Sequence, residues 1–288
     1  MTTLKRRFFL YTILPAVFIG FGIASPKAKA AETSGFTPIL IENISVTRQL
    51  DLLQAICEPG QVTMRAGAPT CNTCPSYTSG GPADLRITNA IESNFTRPGA
   101  SEVLVDTTGC EPANGGGSVL LEADKRGWSR ILYRAGFRSN ECVRFRTLKQ
   151  TVSLACNMSS IDQGIQRGKL EWLSLRDAKA TQQSLLDWYD NSQSNPRRLV
   201  SIFPHRFMKS DFNSDGRVDL QVNVRVRDET VPAKYPSFVD AVAAGHRFKK
   251  AGSLRLVYLF DGSTLVLSPN SEAAKTDIDA LLEQTRDH

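Results

Sequence analysis

The stretch that most constrains this chain is Asp211-Phe212-Asn213-Ser214-Asp215-Gly216-Arg217-Val218-Asp219-Leu220, together with the alternating run that continues from it to Val226. Oxygen-bearing side chains fall at loop positions 1, 3, 5 and 9, and glycine falls at position 6. Calcium takes 6–8 oxygen ligands, so a short loop must turn sharply to bring alternate side chains and a carbonyl to one point. Gly216 permits that turn. The candidate ligands are Asp211, Asn213, Asp215 and Asp219, with the Arg217 carbonyl at position 7. An EF-hand would require a bidentate Glu at position 12 and an exiting helix. Position 12 is Val222, and Val218, Leu220, Val222, Val224 and Val226 alternate with polar residues. That period of two predicts a strand with one buried face. Asp, Asn and Gly also favour a plain turn, so a loop without metal is the competing expectation.

A loop of the form D-x-N-x-D-G-x-x-D-L running straight into a strand resembles the FG-GAP or VCBS-type repeat of β-propeller proteins. The close match covers about ten residues, Asp211 to Leu220. The resemblance implies a loop joining two strands of a blade, with calcium in a structural role. It is matched by a degenerate internal repeat. Phe95…Glu102-Val103-Leu104-Val105 and then Gly117-Ser118-Val119-Leu120-Leu121 parallel Phe207…Asp219-Leu220-Gln221-Val222 and then Gly252-Ser253-Leu254-Arg255-Leu256. The expected fold is therefore mainly β, with blade-like antiparallel sheets in a partial or irregular propeller and a few peripheral helices.

The N-terminus reads as a targeting segment over residues 1–30. Lys5, Arg6 and Arg7 precede an apolar run, and Ala28-Lys29-Ala30 forms an A-x-A cleavage site. Arg6-Arg7-Phe8-Phe9-Leu10 resembles the twin-arginine pattern, and a general secretory signal is the other route. The run is too short and too interrupted for a span, so no membrane span is expected after cleavage, and the expected location is periplasmic or secreted. The segment holds five of the chain's 35 basic residues and none of its 29 acidic ones, which leaves 30 against 29. Nothing in that balance argues for nucleic acid.

Cys57, Cys71, Cys74, Cys110, Cys142 and Cys156 all lie beyond the targeting segment. Six cysteines in an oxidising compartment read as three disulfides with 15 connectivities. Cys142 and Cys156 lie symmetrically about Lys149, so a hairpin turning near Leu148 to Gln150 would face them. For the other four, Cys57 to Cys71 or Cys74 is the shorter closure. A thiol–disulfide site at Cys71-x-x-Cys74 lacks the flanking strand and helix that lower a thiol pKa. Zinc would need Cys57 and Cys110 to converge on the same point.

Residues 31–98 read as an irregular cysteine-containing region and 99–288 as a β-rich region ending in an amphipathic helix with Ala274, Ile278, Leu281 and Leu282. Thr47 to Ile56 is expected to be helical, and so is Ala178 to Tyr189 on its Leu185, Leu186, Trp188 and Tyr189 spacing. Asp261-Gly262 signals a hairpin. His205, His246 and His288 stand without a nucleophile elbow, and His205 is expected to be half-buried. Trp128, Trp172 and Trp188 suit a core, or a sugar-binding surface. The expected function is an exported, calcium-stabilised, disulfide-containing binding or scaffold protein with a protein or carbohydrate partner in the cell envelope. The alternative is an exported enzyme, either a carboxylate hydrolase or a thiol–disulfide oxidoreductase at Cys71/Cys74.

Overall fold

The structure is a computed structural model describing residues 39–40, 44–81, 84–112, 116–194, 196–249 and 251–285. The targeting segment, and Asn114 and Gly115 of the Asn114 to Gly117 turn, lie outside the described residues. In chain order, β1 (Ile39–Leu40) precedes α1 (Val46–Ile56), and a small hairpin comes next from β2 (Val62–Arg65) and β3 (Ala68–Cys71). The Ser45 side chain accepts the Arg48 N–H and caps α1, which buries Leu52, Leu53 and Ile56.

The chain then forms three four-stranded antiparallel meanders. The first is β4 (Arg86–Ser93), β5 (Glu102–Thr108), β6 (Gly117–Asp124) and β7 (Gly127–Ala135), with β1 added beside β4. The second is β8 (Cys142–Arg146), β9 (Val152–Asp162), β10 (Ile165–Ser174) and β11 (Thr181–Asp190). The third is β12 (Arg198–Ser210), β13 (Asp219–Thr230), β14 (Gly252–Phe260) and β15 (Leu265–Leu267). The short helix α2 (Phe238–Ala243) lies between β13 and β14, and α3 (Glu272–Glu283) comes after β15. The second and third meanders form one eight-stranded sheet, but β11 and β12 pair only through Tyr189↔Ile202 and Asp190↔Ser201. The mainly β, antiparallel expectation holds. Among the described residues, the sheets do not close into a barrel.

The central strands of the first meander, β5 and β6, are buried on both faces. Val103, Val105, Val119 and Leu121 pack with α1 and its disulfides, while Leu104 and Leu120 pack with Leu154, Cys156 and Leu173 of the second meander. That is why these strands read as continuous apolar runs rather than alternations. The second and third meanders share the largest core, where Phe145, Trp172 and Phe260 meet with ring centroids 5.3–5.6 Å apart. Ile278 of α3 is buried in that core, with Ala274, Leu281 and Leu282 packed against it.

The helix expected over Ala178 to Tyr189 is instead a strand, β11. The register runs Leu170↔Leu186 and then Glu171↔Ser184, so Leu185 is a bulge residue without a partner across the ladder. A bulge puts two residues opposite one and breaks the alternation. Leu185 and Leu186 are consequently both buried, which imitates helical spacing. A second shift, between Pro204 and Arg206, makes His205 the extra residue of β12, and it is exposed rather than half-buried.

Candidate metal centre

The loop 211–218 connects β12 to β13, where the alternating sequence meets the polar run. Asp211 Oδ1 accepts the Asp215 N–H (3.1 Å) and Oδ2 accepts the Gly216 N–H (2.8 Å). Asn213 Oδ1 accepts the same Asp215 N–H at 3.2 Å, which brings the oxygens of Asp211 and Asn213 to one donor. Gly216 has φ +83°, the left-handed value the turn demands, and Ser214 shares it at +62°. Asp215 Oδ1 accepts the Arg217 N–H (2.8 Å), which holds its carboxyl below the usual carboxylate range, helped by the Asn213 amide and the Arg217 charge.

Asp219 behaves differently. Its carboxylate is fully buried, with Oδ2 accepting the Phe212 N–H (2.9 Å) and Oδ1 the Phe260 N–H (2.8 Å). It therefore fastens the loop to the last residue of β14. Arg217 makes a second tie: its guanidinium lies 3.2 Å from Asp215 Oδ2 and donates to the Asp261 carbonyl at 2.5 Å. The sequence pointed to Arg217 only for its carbonyl. The side-chain contact spans 44 residues, and no local pattern announces it.

The donors are chemically right for a hard cation, being carboxylates, an amide oxygen and a carbonyl. Their arrangement is that of a loop closed by its own hydrogen bonds. Among the described residues, no three His, Cys, Asp or Glu side chains form a group that could hold a metal ion. A carboxylate oxygen keeps a lone pair after accepting one hydrogen bond, so Asp211 and Asp215 retain ligand capacity. Asp215 would have to exchange its Arg217 contact to use it.

The cysteines pair as Cys57–Cys71, Cys74–Cys110 and Cys142–Cys156, and none is free. Cys142 and Cys156 are directly opposed across β8 and β9, as the symmetric spacing predicts. The oxidoreductase and zinc readings of Cys71 and Cys74 fail, because the two belong to different disulfides and Cys71 is buried. Trp172 and Trp188 are core residues, while Trp128 is half-buried under the Arg48 guanidinium at 4.5 Å. Among the described residues, no helix is long and apolar enough to cross a membrane.

Comparison of the chain with protein-family models, with curated proteins and with solved structures finds no match in any of the three.

Proposed function

We propose that the chain is an exported, disulfide-containing β-rich binding or scaffold protein of the cell envelope, in which the loop 211–219 holds a structural calcium ion. Three disulfides that use all six cysteines suit an oxidising compartment. The observation that carries the reading is the pair of ties from loop to sheet. Asp219 binds Phe212 and Phe260, and Arg217 binds Asp215 and Asp261. An ion held by Asp211, Asn213, Asp215, Asp219 and the Arg217 carbonyl would stiffen the segment to which β13 and the 261–264 turn are fastened, the Asp219 oxygens being shared with the Phe212 and Phe260 N–H groups. The role proposed is structural, because the same loop is tied to the sheet by Asp219 and by the Arg217 guanidinium.

The test is thermal melting of the exported protein in chelator and in millimolar calcium. Without a position-12 carboxylate the affinity expected is that of extracellular modules, ~10⁻⁴–10⁻³ M. At ten times the dissociation constant the linked stabilisation is about 1.4 kcal/mol, a shift of a few degrees. Asp215→Ala should abolish the calcium-dependent part. Melting that is indifferent to calcium would reduce the loop to a turn.

A further inference from the structure

Two cavities of similar size open on the second and third meanders. One, about 660 Å³, runs beside α3, and its charges are mixed: Arg167 and Lys169 face Glu171, Asp187, Asp279 and Glu283. The indole of Trp188, which lines it, is already engaged, since its N–H is given to Asn157 at 2.8 Å. The other, about 680 Å³, is enclosed by three hairpin turns, at 147–151, 175–180 and 261–264, and has a consistent chemistry.

We propose that this second cavity binds a small anionic sugar, a hydroxylated ring carrying a carboxylate or a phosphate. Its volume falls in the range of small-molecule sites. Lys149, Arg176 and Lys179 line it against a single carboxylate, Asp177, which already faces Arg176 at 3.4 Å. The ammonium groups of Lys149 and Lys179 make no hydrogen bond or ion pair among the described residues, so an anion would meet two uncommitted charges. Trp172 lines the cavity from the core, where Phe145 and Phe260 hold its ring. Apart from Leu148 and Gly262, the remaining lining is hydroxyl and amide, including Ser174, Thr181, Gln182 and Ser263, the groups that exchange hydrogen bonds with a polyol.

A separate observation points to a ligand. Ser153 lines the cavity, is 1% exposed, and its hydroxyl has no hydrogen-bond partner among the described residues. A buried hydroxyl left unpaired is costly, and a ligand hydroxyl reaching that wall would complete it.

The walls are also fixed in advance. Gln150, Asp177 and Ala178 are non-glycine residues held at φ +61°, +56° and +57°, conformations that persist only where surrounding structure enforces them. Leu148 N–H to Gly262 O (2.9 Å) and Asp177 N–H to Thr96 O (3.1 Å) anchor the two turns that carry these residues, and Thr264 Oγ1 to Gln183 Oε1 (2.6 Å) ties the third turn to β11. A rigid cavity loses less ordering entropy when a ligand enters. The assignment deepens the binding-protein reading by naming a ligand class, and it requires no ion in the loop 211–219.

The experiment is calorimetric titration of the protein purified after export with D-glucuronate, glucose 6-phosphate, D-glucose and inorganic phosphate. At least one charged sugar should bind saturably, with glucose and inorganic phosphate about tenfold weaker or more. Which charged sugar binds decides between carboxylate and phosphate. The double variant Lys149→Gln/Lys179→Gln should weaken the binding about tenfold without lowering the melting temperature, because both side chains are exposed. Ser153→Ala should weaken it while leaving the fold intact. The proposal is overturned if neither charged sugar binds below ~10 mM, a concentration already weaker than most specific sites. It is overturned equally if inorganic phosphate binds as well as the sugar, or if the double variant titrates like the parent. Loss of the calcium effect on melting would leave these outcomes unchanged, so the two readings fail separately.

Discussion

Glu102 and Asp219 hold the same place in two meanders. Each opens the second strand of its meander, each is buried, and each carboxylate accepts backbone N–H from the loop before it. Glu102 Oε2 takes the Phe95 and Thr96 N–H groups at 2.5 and 2.9 Å; Asp219 takes those of Phe212 and, from β14, Phe260. The degenerate repeat in the sequence is therefore a repeat of position in the fold. In both copies the acid acts first as a clamp on the chain.

The clamps give the first prediction. Asp219→Ala leaves the buried Phe260 N–H unpaired and the exposed Phe212 N–H to water, and at roughly 1–3 kcal/mol for a buried unsatisfied group the loss should be about 1–3 kcal/mol. Asp219→Asn keeps one acceptor oxygen and should lose about half as much. Glu102→Ala should resemble Asp219→Ala, and the double variant should be additive within ~0.5 kcal/mol because the two share no partner. Urea unfolding measures all four. An Asp219→Ala protein as stable as the parent would show that the clamp is idle.

The disulfides should be unequal. In the chain-entropy picture a cross-link stabilises more as the loop it closes lengthens. Cys57–Cys71 and Cys142–Cys156 each span 14 residues, and Cys74–Cys110 spans 36. Serine replacement of each pair should cost about 3 kcal/mol for the short loops and about 4 kcal/mol for the long one. The opposite order would mean that local packing around the bridges, and not closure, governs their contribution.

Asp106 supplies a pH signature. Burial pushes its carboxyl above the usual value, although Ser118, Ser139 and Asn89 donate to it and favour the charged form. The unfolded chain releases this proton near pH ~3.9. From there up to the raised folded value, the native state holds the proton more tightly than the unfolded state does. The carboxyl's contribution is therefore full at lower pH and is lost as pH rises through that window. Asp228 tilts the other way, because the Arg198 guanidinium holds its carboxyl low, so that contribution is lost as pH falls. The difference in unfolding free energy between the parent and Asp106→Asn isolates the first effect. It should decline with rising pH above ~3.9. A flat or rising difference would count against the assignment.

Much of this was legible in the residues. Val103 to Val105 and the valine alternation from Leu220 onward are strands because aliphatic and β-branched residues suit a pleated surface, the first run buried on both faces and the second on one. The Cys142–Cys156 bridge was foreshadowed by symmetry about one turn. β11 was hidden because a one-residue bulge converts alternation into a pattern with a helical spacing, and nothing local distinguishes the two. The Cys74–Cys110 bridge and the Arg217–Asp261 tie join segments brought together only by packing. The cavity belongs to the same class: its three turns are far apart in sequence, and each reads alone as an ordinary connection.

The last prediction concerns Gly168, in the middle of β10. Its backbone is ordinary, so conformational freedom does not explain the glycine. Space does. A Cβ there would lie 2.2 Å from Trp188 Cε2, 2.3 Å from Cζ2 and 2.4 Å from the Met158 carbonyl oxygen. The indole lies against the bare glycine with its N–H bonded to Asn157, and the Met158 carbonyl belongs to the neighbouring strand β9. Gly168→Ala must therefore displace both a buried ring and a strand backbone, and overpacking of that kind costs about 1–3 kcal/mol. The ring's T-shaped contact with Phe203 should be disturbed as well, which would register in near-ultraviolet circular dichroism. Gly252→Ala in β14 is the control: its nearest neighbour would be the Val226 carbonyl at 3.6 Å, an ordinary contact. That variant should be neutral or stabilised by up to ~1 kcal/mol through loss of unfolded-chain entropy. If the two alanine variants unfold at the same urea concentration, Gly168 is not there to make room for Trp188.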